Sequence, residues 1–75
     1  MNKQKRTKLK EADTLLHTAK SLISTVKDQE QDDLDNYPEN LQCSERCTTM
    51  EKAIEELEDA IENIERASEN ISNVI

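Results

Sequence analysis

A single proline, Pro38, divides this chain into two stretches of equal length that contain neither proline nor glycine. Sheets and loop-rich folds need residues that tolerate positive φ, usually glycine, and their strands favour aromatic and β-branched side chains. Here glycine is absent throughout, and Tyr37 is the one aromatic residue. Glycine and proline are the residues that most harm a helix interior. The fold class read from this pattern is all-α, with the proline marking the break.

The apolar spacing agrees. Leu9, Ala12, Leu16, Ala19, Ile23 and Val26 alternate steps of three and four, as a heptad seam does, and Leu15 and Leu22 widen it. The first helix is expected over residues 8–36, behind a basic tail at 1–7. It stops before Pro38, because the residue preceding a proline is pushed out of the α region. In the second half Met50, Ile54, Leu57, Ile61, Ile64, Ser68, Ile71 and Ile75 step by three and four throughout. Ala53, Ala60, Ala67 and Val74 form a second column beside them. The second helix is expected over 44–75, with Ser44 favoured at its start over the capping-box spacing of Thr48 and Glu51.

A short connection at 37–43 makes the two helices antiparallel neighbours. With the turn centred near Asn40, facing residues have numbers adding to about 80. Val26 then meets Ile54, Ala19 meets Ile61, Leu16 meets Ile64 and Ala12 meets Ser68, with Ile23 beside Leu57 and Leu9 beside Ile71. Both seams stay in phase over the whole length, which predicts a coiled-coil-like hairpin. Two helices make a thin rod, and each apolar face is wider than a two-stranded seam requires. A homodimer closing into a four-helix bundle is therefore expected, or a hairpin completed by another protein.

The charge is uneven. The net charge is −7, yet residues 1–20 carry six Lys or Arg against two acids, and residues 21–75 carry four against fifteen. Lys3, Lys5, Arg6, Lys8 and Lys10 are expected beside the C-terminal end of the second helix, where its dipole and Glu65 and Glu69 are negative. A basic segment of this kind can also bind nucleic acid or acidic lipid, but direct nucleic-acid binding is the weaker expectation. The acids fall in two patches. One is the outer face of the second helix: Glu55, Glu56, Asp59, Glu62 and Glu69, interrupted by Arg66. The other is the run Asp28, Glu30, Asp32, Asp33 and Asp35, where carboxylates oppose the helix dipole. Each patch reads as a solvated face or as a surface for a basic partner.

Several activities are excluded on pattern. Without glycine there is no phosphate-binding loop, dinucleotide turn or EF-hand. No run approaches the roughly 20 apolar residues of a membrane span, and the basic N-terminus is not followed by the apolar core of a signal peptide. A cytoplasmic protein is expected. Cys43 and Cys47 supply half a zinc site, so no metal or cofactor is expected. An intramolecular disulfide one helical turn apart would be strained. The pair reads as two reduced thiols, or as an interchain disulfide in an oxidised sample. His17 is expected to face solvent with no Ser or Cys near it, so no nucleophile–base–acid set and no enzyme activity are expected.

The acidic run from Asp28, the segment Asp35-Asn36-Tyr37-Pro38-Glu39-Asn40-Leu41-Gln42-Cys43-Ser44-Glu45-Arg46 and the following Met50-Glu51 resemble short acidic hairpin proteins of phages, prophages and some bacterial chromosomes. Those share a D-N-x-P-E-x-L-Q-x-S-E-R turn and a repeated I-x-x-L-E-x-A helix. Leu34 stands where the group often has an aromatic, and Cys43 and Cys47 replace residues that are usually small or polar. The resemblance implies a phage or mobile-element setting and no particular mechanism. Tyr37, Glu39, Gln42, Glu45 and Arg46 at the tip join Glu55, Glu56, Asp59 and Glu62 as candidate partner contacts. The expected function is binding to a protein, such as a host or defence protein whose nucleic-acid site is occupied. The alternative is a structural, oligomerising hairpin.

Overall fold

The computed structural model describes residues 1–38 and 44–75, and of Ser44 only the backbone. It consists of two helices packed against each other, α1 (Lys3–Asp35) and α2 (Ser44–Val74), with no strand among the described residues. The helices run antiparallel. Asp13 meets Ser68, Lys20 meets Glu65, and Glu30 shares a cleft with Met50. No helix is long and apolar enough to cross a membrane among those residues.

α1 begins five residues earlier than the expected residue 8, and residues 3–7 of the stretch read as a tail are helical. The cause is Asn2, whose side-chain oxygen accepts the Lys5 backbone N–H at 2.9 Å. That bond satisfies one of the orphan donors of a first turn. At the other end Asn36 caps the helix. Its backbone N–H and its side-chain amide both donate to the Asp32 carbonyl, at 3.0 and 2.8 Å. Tyr37, half-buried, donates its N–H to the Leu34 carbonyl at 3.3 Å, and Pro38 follows.

The seam is largely where the heptads place it. Leu9, Ala12, Leu16, Ala19 and Ile23 of α1 are partly covered, as are Met50, Leu57, Ile61, Ile64, Ser68 and Ile71 of α2. Ile54 is the one residue fully inside among those described, 6% exposed. Val26 departs from expectation. It is 51% exposed, and Lys27 and Ser24 lie partly covered instead. Leu16, Ala19, Ile23 and Lys27 complete three turns in eleven residues, close to the natural 3.6 per turn. A strict heptad count assumes 3.5, and over this length the difference carries Val26 off the seam. Leu15 and Leu22, at 66% and 65%, and Val74 and Ile75, at 52% and 42%, are likewise outside it.

So thin a fold leaves much surface open. The chain exposes 6041 Å², where a compact monomer of 8.6 kDa would expose about 4,700 Å². Its Cα envelope is 61 × 14 × 12 Å.

Candidate partner-binding surfaces

The hairpin has a polar flank, an apolar flank, an acidic outer face and a tip. Which side chain falls on which follows from a rotation of about 100° per residue.

On the polar flank three side chains converge. The Ser68 hydroxyl donates to Asp13 Oδ1 at 2.5 Å, His17 Nε2 lies 3.4 Å from Asp13 Oδ2, and Ser68 Oγ is 3.5 Å from the same His17 nitrogen. One turn further along α1, Lys20 Nζ reaches Glu65 at 3.5 Å. The sequence reading left His17 without a serine nearby, and the structure corrects that. The signal was available, because the register that sets Ser68 opposite Ala12 also sets it beside Asp13, and His17 is one turn on. A catalytic triad needs the imidazole between serine and acid, with one nitrogen on each. Here the carboxylate itself accepts the serine hydrogen bond and approaches the same Nε2, on a histidine side chain that is 62% exposed. The cluster is a polar layer that ties the two helices together.

The opposite flank is apolar. Leu15, Leu22 and Val26 lie to the other side of the α1 seam from Asp13, His17 and Lys20, by the same rotation. Ala53, Ala60 and Ala67 lie to that side of the α2 seam, half-covered, with Val74 beyond them. The neighbouring Thr14, Thr18 and Thr25 add no unmet donor. Their hydroxyls donate to the carbonyls of Lys10, Thr14 and Ser21, at 3.1, 3.2 and 3.0 Å.

The outer face of α2 carries Glu55, Glu56, Asp59 and Glu62, all exposed and none in an ion pair among the described residues. At the tip, Glu45 and Arg46 are exposed on the first turn of α2. With Glu30, Thr49 and Met50 they line an open cleft of about 390 Å³. Thus two of the predicted tip residues are brought to a groove between the helices, and Tyr37 sits half-buried at the end of α1. Glu39, Gln42 and Cys43 lie outside the described residues.

Cys47, half-buried on that first turn, is disulfide-bonded, which corrects its reading as a reduced thiol. A helix N-terminus favours the thiolate, the form that attacks to make a disulfide. Among the described residues no group of His, Cys, Asp or Glu is placed to hold a metal ion. Compared with protein-family models, curated proteins and solved structures, the chain matches none.

Proposed function

We propose that this chain is a protein-binding module. It dimerises into a four-helix bundle and presents the acidic outer face of α2, with the hairpin tip, to a basic surface on its partner. The observation that carries this reading is the set Glu55, Glu56, Asp59 and Glu62, exposed over two turns and free of ion pairs among the described residues. An unneutralised face of one sign steers encounter with the opposite sign and sets specificity. A site that normally binds nucleic acid has that sign. In a phage or mobile-element setting, as the turn motif suggests, such a site belongs to a host or defence protein.

The test is affinity capture from the natural host, followed by binding measurements on the captured protein. The Glu55→Gln, Glu56→Gln, Asp59→Asn, Glu62→Gln variant should bind at least about tenfold more weakly, with a shallower salt dependence. Unchanged affinity would remove the charge-based reading.

A second reading is favoured by one observation, the exposed Leu15, Leu22 and Val26. In it the hairpin is a structural, oligomerising element whose acids keep it soluble. Function would then fail when the apolar flank is made polar and survive when the acids are neutralised.

A further inference from the structure

Resting on the dimer reading above, we infer that the occupant of the apolar flank is a second copy related by a two-fold axis perpendicular to the rod. The two tips then lie at opposite ends, with α1 against α1 and α2 against α2.

The first support is a coincidence of centres. A two-fold interface must be self-complementary, so each stripe must be symmetric about one level. On α1, Leu15 and Val26 are equidistant from the point between residues 20 and 21, and about that point Leu22 meets Ala19 of the second copy. On α2, Ala53 and Ala67 are equidistant from Ala60. The observed cross-helix pairs have numbers adding to between about 80 and 85. The centre of the α1 stripe therefore falls level with a point between Ala60 and little more than one turn beyond it, and an axis near that level serves both stripes. The alanines let the two α2 helices approach closely, while the leucines fill the wider gap between the α1 helices.

The second support is charge. α1 is basic at one end and acidic at the other, with Lys3, Lys5, Arg6, Lys8 and Lys10 against Asp28, Glu30, Asp32, Asp33 and Asp35. Antiparallel pairing of α1 with itself lays each basic end along an acidic end, twice per dimer. About the centre found above, Lys8 meets Asp33 of the second copy, and both lie on the apolar flank's side of the helix. The same register sets Glu11 level with Glu30, a like-charge meeting that the surrounding lysines offset. The rival arrangement has its axis along the rod, with both tips at one end. It would lay the acids at 28–35 near Glu56 of the second copy, an α2 acid at that level on the apolar flank's side.

The third support is size. A side of 61 Å by 12–14 Å projects on the order of 800 Å², which is what each partner of a standard interface buries.

The experiment uses the full chain and exchanges charges. Lys8→Glu and Asp33→Lys each turn two attractive meetings per dimer into repulsive ones. Each variant alone should dimerise on the order of tenfold more weakly than the parent by sedimentation. Mixed together, they should form a heterodimer at close to parental affinity, resolved from either homodimer by native mass spectrometry. As a second readout, Ala60→Cys should give an interchain 60-to-60 disulfide, mapped by peptide mass spectrometry. A parent chain that is monomeric at about 100 µM, a concentration at which a standard interface is formed, would overturn the dimer reading and this inference together. A parental dimer that gains nothing from mixing the two variants and forms no 60-to-60 bond would overturn the antiparallel arrangement alone.

Discussion

The Ser68 hydroxyl donates to Asp13 Oδ1 at 2.5 Å, joining two helices at positions 55 residues apart in sequence. A polar pair in an otherwise oily seam fixes register, because any slip leaves its members without partners. Ser68→Ala is expected to destabilise the hairpin by about 1 kcal/mol, as the net worth of such a bond implies. A double-mutant cycle with Asp13→Ala, read by urea unfolding, should return a coupling of roughly 0.5–1.5 kcal/mol. Additive effects would show that the bond does not contribute.

Burial separates the apolar side chains into two classes with opposite expected behaviour. Ile54→Ala removes the most enclosed side chain among those described and should cost about 2–4 kcal/mol in thermal or urea unfolding. Leu15→Ser with Leu22→Ser removes side chains that are two-thirds exposed. Its dimerisation should be lost, while its helicity should fall less than that of Ile54→Ala, which damages the hairpin itself. Sedimentation and circular dichroism on the same samples distinguish the two outcomes.

The exchange of Val26 for Lys27 on the seam gives a third expectation. Val26→Ser should alter the stability of the isolated hairpin by less than about 0.5 kcal/mol, as surface changes do. Lys27→Leu puts an apolar side chain at this partly covered seam position and should stabilise by about 1 kcal/mol. Reversal of that order would return Val26 to the seam.

Asn2 sets where α1 starts. Asn2→Ala is expected to cost about 1 kcal/mol of local stability, the usual worth of an N-cap. Amide exchange should quicken over the first turn and stay unchanged around Ile54.

Much of this architecture was legible from spacing. The absence of glycine and the isolation of Pro38 dictated two helices, and the phase of the two seams dictated their antiparallel register. Spacing could not place Val26, because a 3.5-residue repeat and a 3.6-residue helix diverge within three turns. The start of α1 depended on one amide at Asn2, a local bond that periodicity does not report. The Asp13–His17–Ser68 layer was within reach. Ser68 was placed on the seam opposite Ala12 by spacing alone, and its hydroxyl donates to Asp13 one position along the facing helix. The acidic outer face was legible as composition, and the structure adds that its carboxylates are free of ion pairs among the described residues.

Having Ile54 as its one fully enclosed side chain among those described leaves this fold almost nothing to hide behind. Persistence then becomes a matter of company more than of constitution. Whatever covers the rod raises its melting temperature by mass action, so copy number and occupancy would govern how long each molecule survives proteases.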